Sequence, residues 1–264
     1  MEGGGLGALS GRVAFVTGGG RGIGRAISLA LARAGAAVAV ASRSEAANAE
    51  TVREITAAGG EAHPVPLDVT NTESVQRAVQ AAITRFQRID ILVNNAGSAD
   101  SEPFLRTDRD LWDRMLAVNL TGAYLCTRAV LEPMLRRRRG RIVNVASTAG
   151  RVGYPYVTAY CAAKHGLVGL TRALAQEVAA EGITVNAVCP GFVDTDLTSQ
   201  AVARISEKTG LSGDEARSTL EEMSPQNRLI RPEEVADLVV TLALDGSGGI
   251  NGQAIVLDGG AVAG

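Results

Sequence analysis

Short β-branched runs alternate with longer stretches of helical period along the chain. "RVAFVT" (12–17) reads as a buried strand, followed by a helix over about 22–34. "AAVAVAS" (36–42), "AHPVPLDV" (62–69), "IDILVNNAG" (89–97), "GRIVNVAS" (140–147), "ITVNAVCPG" (183–191) and "GQAIVLDGG" (252–260) are the further strands. Between them lie helical patterns over about 44–58, 72–86, 108–138 and 157–180, the last closed by Gly182. Strands rich in Val and Ile and separated by helices imply an α/β fold: a parallel sheet covered on both faces. No repeat or linker interrupts residues 1–264, so one domain is expected, although the length also suits two small ones. The one long irregular stretch, about 194–230, holds helical pieces without a strong apolar period; it follows a strand end and is expected to form a lid over a ligand crevice.

Composition narrows the classes. Apolar residues make up 46% and charged ones 20%, and a chain of 264 residues buries enough surface to need no metal or disulfide for stability. Aromatics are only 3%, so Ala, Val, Leu and Ile must build the core. A net charge of −2 exerts no global pull on nucleic acid or membrane. "RRRR" (136–139) reads as the solvated, dipole-compensating end of a helix rather than a nucleic-acid patch. Cys126, Cys161 and Cys189 are widely spaced and odd in number, which suits a reduced, cytoplasmic protein. The start, "MEGGGLGALSGR", lacks a secretion pattern, and no apolar run reaches membrane-spanning length.

"TGGGRGIG" (17–24) follows the first strand and opens a helix. Gly18, Gly22 and Gly24 let the backbone turn sharply and admit a pyrophosphate to main-chain N–H groups at the helix N-terminus. At the end of the second strand, where an acid would hold a ribose 2′-OH, stand Ser42 and Arg43, and Arg21 points the same way. Two guanidiniums and a hydroxyl suit a 2′-phosphate, which favours NADP(H), with NAD(H) as the alternative; Glu45 lies close by. Asp68, ending the third strand, is placed to accept from an adenine amino group, and Asn94 to Gly97 turn beside the same crevice.

In "YCAAK" (160–164), Tyr160 and Lys164 lie one helical turn apart on one face. A phenol ordinarily titrates near 10. An ammonium at about 4 Å, at an effective dielectric of about 20, is worth roughly 4 kcal/mol, so Lys164 is expected to draw the phenol toward a useful range against some desolvation. Ser147, at the end of the fifth strand, is placed to hold a substrate oxygen. His63 and His165 belong to no acid–histidine cluster, and no metal site is expected.

Together these pieces resemble the short-chain dehydrogenase/reductases over about residues 9–260. The matching motifs are "TGGGRGIG", "DV" (68–69), "NNAG" (94–97), "VNLTG" (118–122), Ser147 with "YCAAK", and "PG" (190–191) followed by "VDTD" (193–196). The resemblance implies a seven-stranded Rossmann sheet. It implies Tyr160 as general acid/base, Lys164 lowering its pKa and holding the nicotinamide ribose, and Ser147 orienting the carbonyl. Asn119 would anchor a water linking Lys164 to solvent. Asn95 and Val193 would meet the cofactor near its sugar and carboxamide, with Thr195 on the amide or phosphate side. Gly20, Ile23, Val69, Ala96, Gly97, Pro190 and Gly191, in the same motifs, complete the expected cofactor contacts. Homotetramers through the helices at about 108–138 and 157–180 are the family's usual assembly.

For substrate, "RPEEVADLVVTLALD" (231–245) and the run at 183–198 resemble 3-oxoacyl-thioester reductases. The segment holding "EKTGLSGDEA" (207–216) is closer to 3-hydroxybutyrate and 3-hydroxyacyl-CoA dehydrogenases. A 3-oxoacyl/3-hydroxyacyl compound is therefore expected, with Val152, Tyr154, Tyr156 and Gln200 as pocket candidates. A cyclic, aromatic or polyketide ketone is the alternative. A nucleotide-binding regulator without chemistry is the reading from another class, and the intact Asn119, Ser147, Tyr160 and Lys164 argue against it.

Overall fold

The structure, a computed structural model, describes residues 7–262. The chain start read for a secretion pattern lies partly outside these residues. Seven strands, β1 (Val13–Thr17), β2 (Ala37–Ser42), β3 (Ala62–Pro66), β4 (Ile91–Asn94), β5 (Gly140–Val145), β6 (Ile183–Pro190) and β7 (Ala254–Leu257), form one parallel sheet in the order β3-β2-β1-β4-β5-β6-β7. The order reverses between β1 and β4, where Val16 pairs with Val40 on one side and Val93 on the other. Connections leave that point in opposite directions and open a crevice at the carboxyl edge. β3 is an edge strand, which is why it tolerates Pro64 and Pro66.

The strands' period of two sorts their side chains into two cores. Ala14, Val16, Val38, Val40, Ile91 and Val93 pack on one face with α1 (Gly22–Arg33), Ile55 of α2 (Glu45–Ala57) and α9 (Pro232–Ala243). Phe15, Ala39, Ala41, Leu92 and Ile142 pack on the other with α3 (Thr72–Phe86), α5 (Gly122–Arg137) and α6 (Thr158–Val178). Fully burying a side chain such as Ile27 or Leu92 contributes about 1.5–3 kcal/mol.

Two features depart from the periodicity reading, and the helical pieces expected in 194–230 take definite bounds. The expected helix over 108–138 is α4 (Arg109–Leu116) and α5 joined by a π-helical turn, Ala117–Thr121. Residues 194–230 carry two helices, α7 (Asp196–Thr209) and α8 (Gly213–Glu221). And α9 is a helix that the sequence pass leaves unassigned; Pro232 opens it, and the Glu234 carboxylate accepts from the Arg231 N–H at its start.

The four arginines ending α5 are each tied to the fold. Arg136 pairs with Glu132, Arg137 donates to the Ile89 carbonyl, Arg138 pairs with Glu181, and Arg139 with Asp245. Asp245 also pairs with the nearly buried Arg12 and Arg141. Cys126 and Cys189 are buried and Cys161 partly so, and all three are free thiols. No helix among the described residues is long and apolar enough to cross a membrane.

Candidate active site

The Gly-rich turn is packed too closely for side chains. A Cβ on Gly24 would lie 2.1 Å from the Gly18 carbonyl oxygen, and one on Gly18 2.8 Å from Asn95 Nδ2. Gly18 and Gly22 have φ of +65° and +51°, where glycine is strain-free. Thr17 and Asn95 clamp the turn: Asn95 Nδ2 donates to the Thr17 carbonyl at 2.9 Å, and Thr17 Oγ1 accepts from the N–H groups of Asn95 and Ala96, both at 2.9 Å. Thr51 of α2 donates to the Gly20 carbonyl. The turn leads into α1, whose N-terminus has neither a capping side chain nor an acid in its first turn. A tight glycine cradle before such a helix end fits a pyrophosphate.

Around this cradle the expected cofactor residues separate into presenting and supporting groups. Arg21 and Arg43 are exposed, and neither guanidinium forms a salt bridge or hydrogen bond with another described residue. Asp68 Oδ1 accepts from the Thr70 N–H and hydroxyl; these bonds, and then the Arg43 charge, hold its carboxyl below the usual range. Ser42 differs from expectation: its hydroxyl donates to the buried Asn48 Oδ1 at 2.6 Å and so is committed within the protein. Val69 is buried against Gly122, and Gly191 packs closely against Asp258. Thr195 starts α7 uncapped, and its Cγ2 stands 3.4 Å from where a Cβ on Gly22 would lie. The loop after Pro190 thus returns to the Gly-rich turn. Ile23 is half-buried beside it, and Val193 is buried and bridged to Ile230.

Tyr160 and Lys164 occupy the first turns of α6, directly after the loop that leaves the carboxyl end of β5. Lys164 is buried; its Nζ donates to the Val145 carbonyl at 2.9 Å and lies 5.6 Å from the Tyr160 ring centroid. Ser147 begins the turn after β5, with its hydroxyl accepting from the Ala149 N–H at 3.1 Å. Asn119 sits in the π-turn, 1% exposed. Its Nδ2 donates to the Ser98 and Met115 carbonyls, and its Oδ1 accepts from the Ser98 N–H. π-turns are rare and favour functional sites; here the widened turn carries the Asn119 amide. A Cβ on Gly97 would lie 2.8 Å from Asn119 Oδ1 and 3.7 Å from Lys164 Nζ, so this glycine keeps the space between the two open.

The electrostatics correct one expectation. In the protein alone, burial dominates the phenol and pushes Tyr160 up to about 12, while a hydrogen bond with Ser147 pulls it down. Burial also pushes Lys164 down to about 8. Desolvation, not the ammonium, is the larger influence on Tyr160. A phenol in this state is protonated at neutral pH, which is the form an acid must have before donating.

Two supporting features carry no motif. Thr51 holds the Gly-rich turn from α2, while the buried Asn48 of the same helix donates to the Ser42 and Val65 carbonyls and so ties α2 to the ends of β2 and β3. Arg217 of α8 forms a two-pronged ion pair with Asp194 at 3.1 and 2.9 Å, fastening the 194–230 segment to the loop that carries Val193 and Thr195. Beneath that segment lies a cavity of about 220 Å³ whose walls include Val152, Tyr154, Phe192, Leu220 and Met223. The Tyr154 hydroxyl donates to Thr148 Oγ1 at 3.0 Å, next to Ser147. Gln200 lies in α7 and is not among the cavity's walls. His63 stacks edge-on with Phe86, and His165 Nδ1 lies 2.9 Å from the Cys161 carbonyl.

A model of the short chain dehydrogenase family matches residues 12–206. The chain is 42% identical to a 3-oxoacyl-[acyl-carrier-protein] reductase of Synechocystis sp., over 97% of this chain and 98% of the relative. It is 37% identical to a 3-oxoacyl-[acyl-carrier-protein] reductase of Thermotoga maritima, over 96% of this chain and 99% of that one. Among solved structures, a variant of the actinorhodin polyketide ketoreductase with NADPH superposes with a TM-score of 0.93 at 38% identity, over 96% of this chain and 98% of the other.

Proposed function

The chain belongs to the short-chain dehydrogenase family and is an NAD(P)-dependent oxidoreductase acting on a ketone–alcohol pair, and we propose that it reduces a 3-oxoacyl thioester with NADPH. The observation that carries the chemistry is the meeting of Ser147, Tyr160, Lys164 and Asn119 at the carboxyl edge, beside the uncapped N-terminus of α1. Two relatives named as 3-oxoacyl-[acyl-carrier-protein] reductases support the substrate class. The unpaired Arg21 and Arg43 support the 2′-phosphate, as does the related ketoreductase described with NADPH.

When bound, the nicotinamide supplies the hydride. The chain's own residues do the rest. The cradle of Gly18, Gly20, Gly22 and Gly24, with the N–H groups of Arg21 and Ile23, would hold the pyrophosphate. Asp68 would accept from the adenine, and Asn95, Ala96, Val193 and Thr195 would wall the nicotinamide half. Ser147 holds the carbonyl oxygen by a hydrogen bond. The Tyr160 phenol donates its proton to that oxygen as negative charge develops, a transfer that contributes typically about 10²–10⁴-fold. Lys164, still protonated at neutral pH, stabilises the phenolate left behind, and Asn119 across the gap at Gly97 holds the path by which a proton returns. Residues 194–230, pinned by Arg217, form the lid that excludes water.

Assembly through α4–α5 and α6 as a homotetramer, and a cytoplasmic setting suited to three free thiols, belong to the same proposal. Turnover of acetoacetyl-CoA and simple cyclic ketones, each with NADPH and NADH, tests it. Thioester reduction with NADPH preferred is expected; no turnover of any thioester sinks the substrate reading.

A further inference from the structure

The chain has four Phe, four Tyr and one Trp. Among the described residues, Phe15 is the only aromatic in the buried hydrophobic set. Five of the others stand on segments that follow the carboxyl ends of β4, β5 and β6: Phe104, Tyr154, Tyr156, Tyr160 and Phe192. The segments at the carboxyl edge of the sheet thus carry more of the chain's rings than its core does.

Tyr156 is the least explained by the fold. Pro155 and Tyr156 lie in the turn before α6, and Tyr156 has φ of +66°. A turn with Pro first and a positive φ second calls for Gly or Asn at the second position. A tyrosine there is strained. Packing does not compensate, because the residue is 64% exposed and its hydroxyl has no hydrogen-bond partner among the described residues. Its carbonyl accepts from the Glu102 N–H at 2.8 Å, which ties this turn to the loop bearing Phe104, itself 67% exposed. Tyr154, two residues earlier, and Phe192 wall the cavity under the lid. Tyr160 follows four residues later.

Strain retained at an exposed ring beside a reaction centre points to a ligand. We propose that Tyr156 is a stacking platform at the site mouth that selects ketones carrying a flat, aromatic or conjugated body over saturated ones of equal size. This rests on the ketoreductase reading above and names the part of the substrate beyond the reacting carbonyl. Ring stacking beyond simple burial corresponds to a preference of about 2- to 12-fold.

The test compares kcat and KM for two pairs: 3-oxo-5-phenylpentanoyl against 3-oxo-5-cyclohexylpentanoyl N-acetylcysteamine thioesters, and 4-phenyl-2-butanone against 4-cyclohexyl-2-butanone. In each pair the ring is insulated from the carbonyl, so only its flatness changes. The wild type is expected to prefer the phenyl member through KM. Tyr156→Gly should abolish the preference while leaving Tm unchanged or raised, since glycine relieves the positive φ. Tyr156→Phe should keep it. An equal kcat/KM for both members in the wild type overturns the proposal, as does a preference that survives Tyr156→Gly. A Tyr156→Gly protein with lowered Tm or altered oligomeric state also overturns it, because the ring would then serve the fold or the assembly. Inactivity on both thioesters with the phenyl preference intact on the simple ketones counts against the acyl reading and for the platform.

Discussion

Replacing Arg43 with alanine separates the two cofactors. Arg43 is exposed at the end of β2 and makes no salt bridge, so its removal leaves no buried group without a partner. Its loss is felt only by what it would hold in a complex. A charge-assisted hydrogen bond contributes about 1.5–3 kcal/mol, and solvent screening at so open a site brings that to about 1–1.5 kcal/mol. The expected effect is a rise of about 5- to 13-fold in the Kd for NADPH. Arg21→Ala should act comparably, and the double variant more severely. NADH has no 2′-phosphate, and Asp68, the residue proposed to accept from its adenine, owes its lowered pKa first to the two Thr70 hydrogen bonds and only last to Arg43. NADH affinity should therefore change by less than about twofold, a difference of about 0.4 kcal/mol. Titration of cofactor fluorescence at low salt measures both constants, and raising the salt should shrink the NADPH effect alone. Equal losses for NADPH and NADH would refute the assignment of the guanidiniums to a 2′-phosphate.

Two further outcomes concern stability. Burial pushes Lys164 from 10.5 to about 8, so between those values the unfolded chain holds a proton that the folded one has released. Lys164 by itself then makes stability rise with pH there, by about 2 kcal/mol between pH 7.5 and 9.5, while the buried Cys126 and Cys189 thiols, both raised, work the other way as pH passes 9. Tyr160, raised from 10.0 to about 12, works in the opposite sense only above pH 10. The thiols are common to both proteins, so the urea-unfolding profiles of the wild type and Lys164→Met should diverge by that amount over this range; parallel profiles would contradict the burial of the ammonium. Asp245→Asn removes the carboxylate facing Arg12, Arg139 and Arg141, two of them nearly buried, and should cost about 1–3 kcal/mol by the same measurement. A cost below about 0.5 kcal/mol, the usual range for surface changes, would show that the arginines do not depend on it.

The strands were legible because a parallel sheet buries both faces, which leaves runs such as "RVAFVT" without polar interruption. The site was legible as a set of residues, since strand ends and one helical turn bring Ser147, Tyr160 and Lys164 to the same edge. Their energetics were not. Spacing shows that an ammonium is near a phenol but not how far each is withdrawn from water, and desolvation is the largest influence on both. The π-turn at Asn119 leaves no compositional mark, because one extra residue in a turn changes hydrogen bonding and not residue type. α9 escaped because "LVVTLAL" has the look of a strand, although Val235, Ala236, Val239 and Leu242 do share a helical face. Thr51 supports the Gly-rich turn from 31 residues away in sequence, a relation only the fold creates.

The most direct trial of the chemistry is the turnover of an acetoacetyl thioester with NADPH by Tyr160→Phe, set beside its Kd for NADPH. The single oxygen removed is the proposed proton donor, so kcat should fall by at least about 100-fold while the cofactor still binds. Turnover equal to wild type, with the fold and cofactor affinity intact, would show that the proton comes from elsewhere.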